Sequence, residues 1–243
     1  MSRWKASGIH LLLSCAVVGA VLAFMATVWY PWPLFAIAGG IGITLILAGV
    51  DVTLGPLMTL IVFKAGKKGL KFDLTVIALL QVAALAYGVH VAFVARPVYL
   101  VFAVDRFVLV TAVDLDPDDV AKARDPRFTR LPLGTPPYIA AVIPTDQKER
   151  NDLLFSALAG KDVELYPQYY VPYESQIQNA LKHAKDIGIL MKRDARTIER
   201  FLESAGRSPA SVKFLPLRAR EDASVLLDAT SGIPVGIVRI DPW

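Results

Sequence analysis

Three long apolar stretches dominate the first 95 residues, at positions 9–29, about 34–63 and 74–94. An α-helix rises about 1.5 Å per residue, so each stretch is long enough to cross the roughly 30 Å hydrocarbon layer of a bilayer. Backbone polar groups find no water there, which obliges such segments to fold as helices. The composition agrees: 54% of the 243 residues are hydrophobic and only 20% charged, with a mean hydropathy of +0.47, above the usual range of soluble chains. The expectation is three transmembrane α-helices in residues 1–95, followed by an α+β domain with an antiparallel sheet in residues 96–243.

Each stretch carries its own punctuation. The opening "MSRWK" resembles the basic start of a signal peptide. The following run exceeds a signal peptide's usual apolar length and lacks an A-x-A cleavage site, so it reads as an uncleaved anchor. "WYPWP" at 29–33 ends that helix with prolines and supplies aromatic side chains of the kind found at membrane interfaces. The second run is longer than one straight crossing needs. Tilt, an interfacial start or a kink at Gly55-Pro56 would absorb the excess. Asp73 stands before the third run as its expected N-cap.

Charge sets the expected orientation. Arg3 and Lys5 lie at the amino terminus, and "KAGKKGLK" between the second and third runs carries Lys64, Lys67, Lys68 and Lys71. The connection between the first two runs carries none. Positive residues stay cytoplasmic, so three crossings send residues 96–243 to the opposite side of the membrane. The four lysines are expected to hold this topology and touch anionic lipid heads. The net charge of +4 resides entirely in residues 1–95, since residues 96–243 hold 20 basic and 20 acidic side chains. A balanced outer domain has no basic stripe for nucleic acid. "KAGKKG" lacks the spacing of a phosphate-binding loop.

Residues 96–243 alternate short strand and helix signals. "PVYLVFAVDRFVLVTAV" predicts two strands with a turn at Asp105-Arg106. "DPDDVAKAR" predicts a helix capped by Asp116 with Pro117 in its first turn, and "YIAAVI" another strand. "TDQKERNDLLFSALAG" predicts a helix from a Thr145 cap to a Gly160 stop. "PYESQIQNALKHAKDIG" and "DARTIERFLESAG" predict two more. The tail predicts a strand over "SVKFLPLRA" and a hairpin closing at Thr230-Ser231-Gly232.

Asp51 is the residue that most needs explaining. It lies near the middle of the second run, where an ionised carboxylate costs about 2.5–3.5 kcal/mol to insert, so it should face protein. Thr44, Ala48, Asp51 and Gly55 share one helical face with mostly small side chains, which admits another helix. Pro56 frees a carbonyl near Val52 for another partner. Gln81 and His90 on the third helix lie about one turn either side of the Asp51 level. Three readings stay open: a clasp within the three-helix bundle, a contact with a second membrane protein, or proton or ion conduction.

The outer domain offers little for catalysis. His183 sits on a lysine-flanked helix, Asp118-Asp119 fits a helix amino terminus, and no nucleophile, zinc or glycine-rich phosphate motif occurs. The single cysteine, Cys15, has no partner for a disulfide, and no cluster has metal-ligand spacing. No enzyme activity, cofactor or metal is expected. "YPQYYVPY", with Tyr166, Tyr169, Tyr170 and Tyr173, is either a contact surface or a packed loop.

"GVDVTLGPLMTLIVF", "GKKGLKFDLTVIALLQVAALAYG" and "VFAVDRF" resemble the type IV pilin accessory proteins TfpX/TfpZ, over roughly residues 1–110. Asp51, Gly55-Pro56, Lys68, Phe72-Asp73, Gln81 and Asp105-Arg106 carry the resemblance. It implies a bacterial inner-membrane, chaperone-like protein that assists the stability, assembly or dynamics of a specific type IV pilin, with the α+β domain of residues 96–243 periplasmic. Pilin, the lipid bilayer and other pilus assembly components would be its partners. The competing expectation is a membrane-anchored periplasmic ligand-binding or sensor module, which would need a concave apolar pocket with convergent polar groups.

Overall fold

The computed structural model describes residues 2–243 and separates into two compact units. One comprises the residues up to Phe35 together with Gly39–Ala95. The other comprises Ala36–Ala38 and Arg96–Trp243.

In the first unit three helices are long and apolar enough to cross a membrane: Arg3–Trp29, Gly40–Val62 and Leu70–Val94. The first consists of α1 (Arg3–Phe24), capped by the Ser2 hydroxyl, and a π-helical turn over Met25–Trp29. Its aromatic end differs from the interfacial belt expected. Trp29 stacks against Phe24 and Phe93, and the buried Tyr30 donates its hydroxyl to the Ala92 carbonyl at 2.8 Å. Only Trp32 of "WYPWP" remains largely exposed among its aromatic residues.

The second apolar run is not one helix. A single turn, α2 (Leu34–Ile37), is cut off by Gly39, whose φ of 84° is a left-handed conformation that glycine adopts at little cost. The crossing itself is α3 (Gly40–Ala48), a π-helical turn over Gly49–Leu54, and α4 (Gly55–Val62). The excess length is therefore removed at Gly39. At Gly55-Pro56 the helix continues, with its widened turn immediately before the proline. The third crossing, α5 (Leu70–Val94), begins four residues earlier than expected. Gly69, with φ of 86°, stands at its N-cap. Asp73 lies within the first turn and pairs with Lys67 at 2.6 Å instead of capping.

The second unit is α+β, and its sheet is mixed rather than antiparallel. Strands β1 (Pro97–Ala103), β2 (Arg106–Thr111), β3 (Tyr138–Ala141), β4 (Tyr170–Pro172), β5 (Lys185–Asp186), β6 (Val212–Arg218), β7 (Ala223–Asp228) and β8 (Pro234–Val238) form it. The order is β4-β3-β1-β2-β6-β7-β8, with β5 also on β6. The β1–β3 and β2–β6 pairs are parallel and the other five antiparallel. Long connections make this possible: parallel neighbours need a crossover, and helices α6 (Pro117–Ala121), α7 (Gln147–Leu158), α8 (Ile177–His183) and α9 (Gly188–Ala205) lie in those crossovers.

Clusters of buried apolar side chains hold the sheet. One gathers Val98, Val101, Val110, Phe128 and Ile139, and another packs Leu190, Ile198 and Leu202 of α9 on Phe214, Leu226 and Val238. All seven residues of β1 are buried, as a central strand covered on both faces requires. Asp116 caps α6 as expected, while α7 is capped by Asp146, one residue beyond Thr145. Asp194 caps the final segment of α9 at an internal kink. The β1–β2 turn falls on Val104-Asp105, so Arg106 already opens β2. Val104 adopts φ of 59°, a strained value for a β-branched residue. The β7–β8 hairpin turns at Gly232, where φ is 70°.

Candidate functional site

The polar residues of the membrane helices converge on the second crossing. Asp51 sits at the midpoint of Gly40–Val62, on the π-helical turn, and is only 4% exposed. A π-helical turn bonds each N–H five residues back instead of four, so the donor owed to the Asp51 carbonyl is that of residue 56. Pro56 has none. Gln81 of α5 replaces it, with its Nε2 donating to the Asp51 carbonyl at 3.1 Å. The freed carbonyl is thus that of Asp51, one residue before the expected Val52, because the helix is widened there.

Gly55 makes this bond possible. A Cβ at position 55 would lie 2.0 Å from Gln81 Nε2 and 2.5 Å from its Cδ. The small face at Gly55 therefore admits the chain's own Gln81. Gly88 does the same one step along: its missing side chain leaves room for Leu47, whose Cδ2 would stand 2.2 Å from an added Cβ. His90, the other expected partner of Asp51, is exposed.

The opposite side of the second crossing is held by α1. Ser7 donates its hydroxyl to the Pro56 carbonyl at 2.8 Å, and His10 Nδ1 meets Thr59 Oγ1 at 2.6 Å. His10 also lies within electrostatic reach of the Asp51 carboxylate. Sequence reading passed over Ser7 and His10. Their signal was available, because positions 7, 10 and 14 share a helical face and carry Ser7, His10 and the buried Ser14. Gln81 and Ser7 thus clasp the two carbonyls that flank the Gly55 turn. One atom is left over: Asp51 Oδ2 is buried and has no hydrogen-bond partner.

Beside it lies a half-open groove of about 370 Å³ between α3 and α5. Ile43, Ile46 and Val50 form one wall, Ala84, Tyr87 and Val91 the other, and Asp51 lines it as well. The lysines of the connection before α5, Lys64, Lys67, Lys68 and Lys71, are all exposed.

The tyrosines of residues 166–173 turn inward. Tyr169, Tyr170 and Tyr173 are buried, and Tyr166 is half-buried with its hydroxyl 2.5 Å from Ser156 Oγ. Tyr170 packs edge-on against Tyr99 and Phe128 and donates its hydroxyl to the Glu164 carbonyl. Tyr173 packs between Phe102 and Phe107 and donates to the Gly232 carbonyl at 2.8 Å. Burial pushes the Tyr170 and Tyr173 phenols above their ordinary range and pushes the Glu164 carboxyl up too. The stretch is the packed loop of the two readings, since each ring fills the core while its hydroxyl satisfies a backbone carbonyl. The exposed apolar side chains of this unit lie elsewhere, most densely at Leu154, Phe155 and Leu158 on α7.

Comparison with known proteins supplies what geometry does not. The family profile described as "Fimbrial assembly protein FimB" matches residues 1–39. The "Fimbrial assembly protein, serogroup I" of Dichelobacter nodosus is 30% identical over 247 residues, covering 98% of this chain and 95% of that protein. The serogroup E1 protein of the same organism has the same identity and coverage. The protein of serogroups C1 and C2 is 35% identical over 121 residues, 49% of this chain and 92% of its own length. No solved structure matches the chain.

Proposed function

The chain belongs to the fimbrial assembly protein family, and on that premise we propose that it is a non-enzymatic, inner-membrane accessory protein that binds a type IV pilin. This is narrower than the family's name, and it takes up the resemblance to TfpX/TfpZ. In this reading the amino terminus and the lysine connection are cytoplasmic and residues 96–243 are periplasmic. The observation that carries it is full-length similarity to fimbrial assembly proteins in a chain with three apolar helices, a membrane-embedded polar cluster and a charge-balanced outer domain.

Two contacts follow from this architecture. A pilin's apolar amino-terminal helix shares the bilayer with Asp51, while the pilin head meets the periplasmic domain. Linking two weak contacts raises the overall affinity without strengthening either. For the outer contact, the exposed Leu154, Phe155 and Leu158 of α7 replace the buried tyrosines as the candidate surface. The four lysines remain the candidate lipid-facing and topology residues.

A photo-crosslinking residue in place of Phe155, in cells assembling pili, should yield an adduct that mass spectrometry identifies as pilin. Alkaline phosphatase fused after Trp243 should be active. Absence of pilin among the adducts, together with unchanged piliation in a strain lacking the protein, would overturn the binding role. A phosphatase active only in the reverse orientation would overturn the topology.

A further inference from the structure

We propose that the groove between α3 and α5 is the seat of one transmembrane helix from the pilus subunit, a helix that places a hydrogen-bond-donating side chain at the depth of Asp51. The proposal rests on the pilin-binding reading above and deepens it by naming the surface and the chemistry.

The polar groups around Asp51 account for one another almost completely. The Asp51 carbonyl receives Gln81, the Pro56 carbonyl receives Ser7, and His10 and Thr59 satisfy each other. Gly55 is filled by Gln81 and Gly88 by Leu47, so neither glycine offers a docking notch to a foreign helix. These observations remove the Gly55 face from consideration.

What remains is Asp51 Oδ2, an acceptor with no partner at the centre of the span. A buried polar atom left without a partner is unfavourable, and the groove that Asp51 lines is where a donor can reach its carboxyl group. That surface is concave, about 370 Å³, and apolar apart from Asp51 itself. Ala84 keeps the α5 wall low, which lets a third backbone come close, as small residues do in membrane helix packing. Ile46 and Tyr87, at 70% and 71% exposure, stand as rims on either side. Shape therefore selects a helix, apolar walls select a membrane-spanning one, and the orphan oxygen selects a donor at mid-span. A helix without such a donor would leave Oδ2 as it is and gain only dispersion contacts, which lipid tails supply equally well.

The test uses the full chain in pilus-producing cells, with a photo-crosslinking residue at Ile46, Tyr87 or, as a membrane control about 20 Å further along the same crossing and outside the groove, Ile61. Pilus subunit captured at Ile46 and Tyr87, and not at Ile61, is the expected result. Asp51→Leu should lower that capture by roughly fivefold or more, in line with loss of one interhelical hydrogen bond. Leucine suits a lipid-embedded helix, and equal protein yield confirms that the fold survives. Ala84→Phe, which fills the groove and keeps the carboxylate, should lower capture as well. Capture that both substitutions leave unchanged overturns the proposal, as does capture of lipid alone or of a second copy of this chain. Pilin captured from Phe155 but not from Ile46 or Tyr87 overturns the groove while leaving the binding role intact. Pilin captured from no position overturns both.

Discussion

Replacing Gly55 with alanine tests the internal clasp through a change of sign. In most helices Gly→Ala stabilises, by about 0.8–1 kcal/mol, because alanine loses less conformational freedom on folding. Here the new methyl would occupy the position of the Gln81 amide, 2.0 Å from Nε2. Gln81 must swing away, and the Asp51 carbonyl then loses the donor that compensates for Pro56. Stripping a buried acceptor costs about 1–3 kcal/mol, and interhelical hydrogen bonds in membranes average about 0.6 with a maximum near 1.7 kcal/mol. Taking about 1.5–2 kcal/mol for the loss and about 1 for the gain, Gly55→Ala should destabilise the bundle by about 0.5–1 kcal/mol. In a Gln81→Ala background the bond is already gone and the space is open. There Gly55→Ala should stabilise by up to about 1 kcal/mol, giving a coupling of about 1.5–2 kcal/mol between the two positions. Reversible unfolding of the four variants in mixed micelles by a denaturing detergent measures this. Effects of equal sign and size in both backgrounds would refute the close-approach argument.

Three further outcomes concern the second unit, each measured by thermal unfolding of the full chain in micelles. Val104→Gly should raise its stability by about 1 kcal/mol, since glycine adopts the φ of 59° without the cost that a β-branched residue bears; no change would mean that the turn is unstrained. Asp228 is held down to about 2 by the Ser231 and Thr230 N–H groups, the Ser231 hydroxyl and Arg207. Its carboxylate favours the folded state above the unfolded value of 3.8, and that contribution disappears as pH falls towards 2. Asp228→Ala should therefore lower the melting temperature at pH 7, with the gap to the parent closing between about pH 4 and 2. Glu164 behaves oppositely: burial raises its pKa above 4.5, so its contribution is fully present below pH 4.5 and is lost as pH rises through the higher folded value. Glu164→Gln should gain on the parent at neutral pH and lose that advantage in acid.

The parts of this molecule that can be read from its residues are those where one local rule governs. The three crossings follow from apolar length, the Asp116 cap and the Gly232 hairpin from turn chemistry. The departures arise where a choice is decided over a distance or between near-equal options. Gly39 cuts the second apolar run although no polar residue marks the place, because the decision lies in backbone φ and not in hydropathy. Nothing in "GVDVTL" distinguishes five-residue from four-residue hydrogen bonding, so the freed carbonyl shifted from Val52 to Asp51. Asp73 and Thr145 are good caps that lie near better-placed residues, Gly69 and Asp146. The parallel β1–β3 and β2–β6 pairs depend on partners far along the chain. The continuous apolar run "PVYLVFA" is the legible sign of a strand covered on both faces, and all seven residues are buried. The tyrosines of 166–173 were ambiguous for a physical reason: the same ring and hydroxyl suit a wet interface or a core with carbonyls to satisfy.

The widened turn at Gly49–Leu54 fixes the length of the second crossing as firmly as its composition. Winding the same residues as an ordinary α-helix would rotate everything beyond them by close to 100° and push it out by about 1.5 Å. Pro56 and Thr59 would turn away from Ser7 and His10 while Asp51 kept its bearing towards Gln81. The three crossings thus stay in phase because the widened turn absorbs a single surplus residue, and this stretch should tolerate exchange of its side chains far better than a second insertion.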